Sequence, residues 1–303
     1  MFLWEELIKV KLIGFDSMGT RGMATVLDVE GLKIFVDPGV SYAPRRYGLP
    51  PHPVEEEALQ RHLDEIHREA EDSHILVISH YHRDHYMYRR GEEAYYRGKI
   101  LIVKDPKNNI NYSQRVRAYT LLNTMRVADL AKDVKVADNN TYVFEDVNIS
   151  FSKPLPHGPR HTKLGYIVLT LIEYEGYKVL HASDSQGPID EEALDFILGS
   201  NPDIVIISGP PTYFEGYKMK REDVAKGLSN LRKLVEGVKP GSTVIVDHHL
   251  LRDLDYRERI REVVEVGESR NVSILTAAEY MGVEIRQLEA MRRQLWMGMS
   301  RNQ

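Results

Sequence analysis

Ile75-Leu-Val-Ile-Ser79-His80-Tyr-His82-Arg-Asp84-His85 is the stretch on which the reading of this chain turns. It opens with four apolar residues in a row, the pattern of a short strand buried on both faces. Directly after it, three imidazoles and one carboxylate fall within six residues, His80 to His85. At the chain's own His and Asp frequencies this spacing arises by chance in roughly one such sequence per thousand. Strand ends are also where α/β proteins place ligands. The spacing differs from His-Glu-x-x-His, whose imidazoles share one helix face. From an extended segment His80 and His82 point together, while Asp84 and His85 face a second point as the chain turns. Four such groups exceed what one tetrahedral metal takes from a single loop, so a dinuclear site is expected.

Three later segments offer the remaining ligands, each at an expected strand end. His157 lies in Pro154-Leu-Pro-His157-Gly158, Asp184 closes Val179-Leu-His-Ala-Ser-Asp184, and His248 follows Val244-Ile-Val-Asp247. A two-metal site needs a bridging carboxylate, which Asp184 can supply. His181 stands two residues upstream of Asp184 and reads as a core or supporting residue. The adjacent His249 leaves the identity of the last ligand open between itself and His248. Arg160, His161 and Lys163 are anion-binding candidates or a surface turn, and Tyr213 and Phe214 are candidate pocket walls. His52, His62 and His67 read as solvated.

The chain has 303 residues, 42% of them apolar, enough for a sizeable core in one domain spanning 1–303. Lys and Arg number 40 against 45 Asp and Glu, a net charge of −5, which argues against a general nucleic-acid binder. Without cysteine there is no disulfide framework, thiolate metal site or thiol nucleophile. No apolar run approaches the ~20 residues that cross a bilayer. The start, MFLWEELIKVKL, lacks the pattern of a secretory signal, so a soluble, cytoplasmic protein is expected.

Around the motif, strands are expected over 7–15, 24–29, 32–36 and 100–103, a long helix over 113–132, and a β-rich stretch over 134–151. A hairpin follows over 166–182. The last third alternates: helices near 191–198, 221–235, 256–266 and 283–296, with strands at 204–208, 243–247 and 272–275. Two β-rich stretches, each joined to βα units, give an α/β (α+β) fold with two packed sheets and helices outside.

The ordered set of motifs resembles the metallo-β-lactamase superfamily over residues 7 to 276, which implies a four-layer αββα sandwich. The resemblance implies one metal on His80, His82 and His157, a second on Asp84, His85 and His248, and Asp184 bridging both. It favours His248 as the last ligand, with His249 beside it. Asp37, in Val36-Asp37-Pro38-Gly39, matches the superfamily's first motif, where the carboxylate supports the ligand loop. The cofactors implied are two divalent ions, with Zn2+ favoured and Mn2+ or Fe as alternatives.

The implied activity is metal-dependent hydrolysis by a metal-bridging hydroxide, with a phosphodiester as the expected bond and Asp84 as the residue that takes or relays the proton. Tyr86, Met87 and Tyr88 stand where many superfamily esterases, lactonases and thioesterases carry a small residue and glycines, which argues against a glyoxalase-type or lactone substrate pocket. The partner expected is thus a small-molecule or phosphodiester substrate, not a membrane; the sequence does not set the oligomeric state. An RNA-processing nuclease of the same superfamily is the alternative, disfavoured by the net charge and by the absence of a Gly/Pro-rich arm. Diiron oxygen reductases of this fold carry Glu at the position of His82, and a non-catalytic metal-binding protein is the least favoured reading.

Overall fold

Strand parity builds the layers. Along Ile75–Ile78, Ile75 and Val77 enter one buried cluster while Leu76 and Ile78 enter another. The computed structural model describes residues 7–300, so the first residues of the start read above for a signal lie outside the described residues. Six strands form the first sheet in chain order: β1 (Lys9–Ile13), β2 (Ala24–Val29), β3 (Leu32–Val36), β4 (Ile75–Ile78), β5 (Ile100–Val103) and β6 (Asp133–Val136). β1 to β3 pair antiparallel, and β3 to β6 pair parallel.

The second sheet repeats the plan. β7 (Thr141–Phe144), β8 (Val147–Phe151), β9 (Thr170–Tyr174) and β10 (Tyr177–His181) pair antiparallel. β11 (Ile204–Ser208), β12 (Thr243–Asp247) and β13 (Ser273–Leu275) then add in parallel, again in chain order. Between the sheets lies a core that takes Ile34, Val77 and Ile102 from the first and Ile149, Ile206 and Ile245 from the second. Burying each such side chain contributes about 1.5–3 kcal/mol.

Helices cover both outer faces. Leu63 and Ile66 of α1 (Pro53–Asp72) and Ala118 of α2 (Tyr112–Tyr119) pack on the first sheet. Ile197 of α3 (Glu191–Ser200), Leu231 of α4 (Arg221–Gly237) and Val263 of α5 (Arg261–Arg270) pack on the second. The result is helix, sheet, sheet, helix. No helix among the described residues is long and apolar enough to cross a membrane.

Three expectations differ from what forms. The helix expected over 113–132 breaks after Tyr119 into a π-turn at Thr120–Thr124, and Arg126 adopts a left-handed backbone (φ 59°). The segment after it, Asp133–Val136, pairs with β5 in the first sheet and so does not continue into the hairpin of the second. The last helix covers Arg292–Ser300, not 283–296, because the residues before it are tied to neighbouring loops: the Arg286 amide donates to the Ser17 carbonyl, and the Gln287 side chain to the Leu251 and Asp253 carbonyls. His52 and His62 are also buried rather than solvated, and His67 is half-buried. His52 caps α1, His62 is buried against Thr20 Oγ1 at 2.8 Å, and His67 Nε2 lies 3.0 Å from Glu92.

Burial, reinforced by the Arg61 charge, lowers the pKa of His62 to about 4. The unfolded chain takes up a proton near pH 6.5 that the folded chain refuses until about pH 4. Stability is therefore complete above pH 6.5 and falls as the pH drops from 6.5 to 4, by about 3 kcal/mol for this residue. His62→Gln should flatten that part of the urea-unfolding profile; an unchanged slope between pH 6.5 and 4 would contradict it.

Candidate metal centre

At the carboxyl end of β3 the chain turns sharply. Asp37 adopts a left-handed backbone (φ 50°), which Asp tolerates better than most residues. Its amide donates to the Val77 carbonyl (2.8 Å), locking the turn to β4. Gly39 then passes so close to the next loop that a Cβ there would meet the Tyr86 amide nitrogen at 2.2 Å and the His85 carbonyl carbon at 2.8 Å. Only glycine fits. The Asp37 carboxylate, fully buried, accepts from the Ser79 amide (2.7 Å) and hydroxyl (2.6 Å), and it lies 2.8 Å from His85 Nδ1. Ser79 Oγ also lies 3.0 Å from His80 Nδ1 and 2.8 Å from Ser183 Oγ, linking the two sheets.

The second sheet brings its own loops to the same edge. Ser183, beside Asp184, and His248, directly after β12, are both left-handed (φ 43° and 55°), a strained arrangement that clusters at functional sites. Asp184 is 2% exposed. Its Oδ2 lies 2.8 Å from His157 Nε2, 3.4 Å from His85 Nε2 and 3.6 Å from His80 Nε2. Its Oδ1 lies 3.3 Å from His248 Nε2 and 3.7 Å from His249 Nδ1. Asp84 Oδ2 lies 3.8 Å from His248 Nε2. The donor atoms fall into overlapping groups within 4.8 Å: His80, His82, His157 and Asp184; Asp84, His85 and His248; Asp184, His248 and His249.

The chemistry of this donor set fits cations. Among the described residues, His80 Nε2, His85 Nε2, His157 Nε2, His249 Nδ1 and Asp184 Oδ1 are buried without a hydrogen-bond partner. Native proteins rarely leave so many polar atoms unmatched in one place. Burial and the neighbouring imidazoles hold His80 well below the usual histidine range and His82 at about 3, so both present neutral nitrogens. Burial opposes protonation of His85 as well, but the Asp184 and Asp37 carboxylates outweigh it and raise its pKa. His248 is raised in the same way by Asp184 and Asp16. Burial opposes ionisation of Asp184, but the surrounding imidazoles keep it charged. Such a centre attracts positive charge.

The residues expected at the site sort clearly. His80, His82, Asp84, His85, His157, Asp184 and His248 converge, and His249 joins them on the cavity side. Asp37 lies beneath His85. His181 faces elsewhere: its Nε2 meets the Met23 carbonyl at 3.0 Å inside the core. Arg160 is drawn away by Asp190 (2.6 Å), and His161 lies 3.2 Å from Asp223. Phe214 and Lys163 line a cavity of about 420 Å3 that reaches His249 and Gln186, whereas Tyr213 stacks under Arg46.

The sequence reading missed several partners. Asp16 Oδ2 lies 2.8 Å from His248 Nδ1, and Arg252 binds Asp16 through Nε (2.8 Å) and Nη2 (3.3 Å). Gln186 Nε2 lies 3.2 Å from His157 Nδ1. Asp247, fully buried, accepts from the amides of Ser17, His248 and Ala277 and so sets the turn that aims His248. Asp16 closes the first strand's loop in Gly14-Phe-Asp16-Ser-Met-Gly19, and a carboxylate at a strand end was the signal available.

Comparisons with known proteins agree with this architecture. No protein-family model matches the sequence. The UPF0282 protein of Methanopyrus kandleri is 42% identical over 298 residues, covering 95% of this chain and 99% of its own. That of Aeropyrum pernix is 41% identical over 295 residues, covering 96% and 99%. Among solved structures, unliganded yeast PDE1 superposes with a TM-score of 0.54 at 14% identity, covering 89% of this chain and 97% of its own. The metallo-β-lactamase fold protein YhfI of Bacillus subtilis gives 0.54 at 13% identity, covering 89% and 96%. Zn(2+)-bound PqqB of Methylobacterium extorquens gives 0.52 at 12%, covering 88% and 97%. The chain has the metallo-β-lactamase fold.

Replacing Asp37 tests how far the site supports the fold. Asp37→Ala strands Ser79 and His85 and leaves an alanine in a left-handed turn, so urea unfolding should show a loss of about 3 kcal/mol. Asp37→Asn, which tolerates the turn and keeps one acceptor, should lose about half as much. Equal effects would show that the hydrogen bonds to His85 and Ser79 carry little.

Proposed function

This chain belongs to the UPF0282 family, and we propose that it works as a metal-dependent hydrolase with two divalent cations, Zn2+ in the first instance. The observation that carries the proposal is Asp184, a buried carboxylate ringed by imidazole nitrogens that no hydrogen bond satisfies. His80, His82 and His157 are assigned to one cation, Asp84, His85 and His248 to the other, and Asp184 to both. Bound cations of this kind supply Lewis acidity and bring the pKa of water toward neutral.

The chain's own groups do the rest. With Nε2 turned inward, His157 sets Nδ1 against the Gln186 amide, whose Nε2 lies 3.2 Å away; turned over about its terminal bond, that amide would present its oxygen to an Nδ1 proton. His85 and His248 are likewise fixed through Nδ1, by Asp37 and Asp16. Burial opposes ionisation of Asp84, yet His85 and His248 keep it charged, so it stands ready to take or relay a proton. The bond is assigned as a phosphodiester, whose charged oxygens suit a centre that concentrates positive charge. Nucleic acid is the second reading. Tyr112 and Tyr119, 81% and 64% exposed on α2, flank Arg115 and offer a stacking surface.

Reconstitution with Zn2+ or Mn2+ should give two ions per chain by elemental analysis. A panel of phosphodiesters, phosphomonoesters, lactones, thioesters and short RNAs, assayed with zinc, manganese or iron, should show turnover first with phosphodiesters. His80→Ala and Asp184→Ala should each lower it by about a thousandfold or more, with the far-ultraviolet circular dichroism unchanged. Full activity in Asp184→Ala would remove the shared carboxylate from the scheme.

A further inference from the structure

Beside the centre, the cavity of about 420 Å3 has a layered chemistry. Its size is that of a small-ligand site rather than a polymer track. Gln186 and His249 form its inner end, so a molecule seated there reaches the Asp184 cluster. Pro159, Pro211, Phe214 and Met219 supply apolar wall. At the rim stand Lys163, Lys218 and Lys220, all exposed.

None of these lysines forms an ion pair with another described residue. Elsewhere on the surface, lysines such as Lys11, Lys33, Lys135 and Lys239 sit beside carboxylates. The one carboxylate on the cavity wall, Asp223, lies 3.2 Å from His161. Three ammonium groups against one carboxylate leave the rim positive in a chain whose net charge is −5. Lys218 Nζ is held 5.0 Å from the centre of the Phe214 ring, so the cation stands over the aromatic wall itself.

We infer that the substrate is a small organic anion: its apolar body lies against Phe214 and Met219, and a charged group remote from the scissile bond, phosphate or carboxylate, meets Lys163, Lys218 and Lys220. The inference rests on the hydrolase reading for the word substrate, but the binding it describes does not need the metals. The inner end points the reactive bond at His249 and Asp184, while the rim lysines set which molecules enter. Phe214 is thereby a specificity-determining residue.

The test uses chelator-treated full-length protein and naphthalene-1-sulfonate, an aromatic anion that ligates metals poorly, followed by isothermal titration calorimetry, with neutral 1-naphthol as the comparison. One sulfonate should bind per chain, more tightly than 1-naphthol. Replacing the three lysines together (Lys163→Ala, Lys218→Ala, Lys220→Ala) should weaken the sulfonate by about tenfold and leave 1-naphthol unchanged, since each exposed ion pair contributes little alone and three add. Phe214→Ala should weaken both ligands. Equal affinity for the two ligands, or indifference to the lysine changes, would overturn the proposal. So would an oligoribonucleotide that displaces the sulfonate and binds more tightly through the same lysines. Sulfonate binding as described, together with no turnover on any substrate or metal, would sink the hydrolase reading and leave the anion site standing.

Discussion

A carboxylate buried among imidazoles is the constraint to which the rest of this structure answers. Asp184 sits 2% exposed with five histidine nitrogens between 2.8 and 3.7 Å from its oxygens. Removing an ionised carboxylate from water costs several kcal/mol unless positive charge and hydrogen bonds replace the lost hydration. Those five rings come from both sheets, so neither sheet satisfies Asp184 alone. The two β-rich halves must pack with their carboxyl edges aligned. The apolar core between the sheets provides the free energy for that alignment.

Around the centre, a ring of fixed partners decides which nitrogen of four of the histidines faces inward. Asp37 holds His85, Asp16 holds His248, Ser79 holds His80 and Gln186 holds His157, each through Nδ1. A histidine so held presents Nε2 without rotating, which lowers the reorganisation needed when a cation arrives. The left-handed backbones of Asp37, Ser183 and His248 belong to the same design. Each lies just past the end of a strand, where the chain must reverse within one or two residues to aim a side chain at the edge.

Much of this was legible in one dimension. The His80–His85 motif is local, and a buried strand followed by a turn brings its side chains together whatever the rest of the chain does. The strands at 204–208 and 243–247 and the helix expected over 221–235, which runs Arg221–Gly237, were also plain, because hydrophobic period and length agree there. The broken helix after Tyr119 was not. Its apolar spacing continues through the break, and the π-turn and the left-handed Arg126 follow from how Leu121, Leu122 and Val127 pack on the first sheet. His62 was misread because a histidine on a charged helix looks solvated until the helix is laid against Thr20.

The sequence alone determined which groups can ligate, in which order, and that each stands at a strand end, since these are properties of short segments and their periodicity. Only the tertiary structure decided that Asp16 and Arg252, 236 residues apart, lock onto each other beside His248. It also decided that Gln186 faces His157, that His181 turns into the core, and that three lysines gather at one rim. Such pairings follow from the superposition of two sheet edges. The register of one sheet over another is set by the summed packing of the whole interior, so no local pattern encodes it.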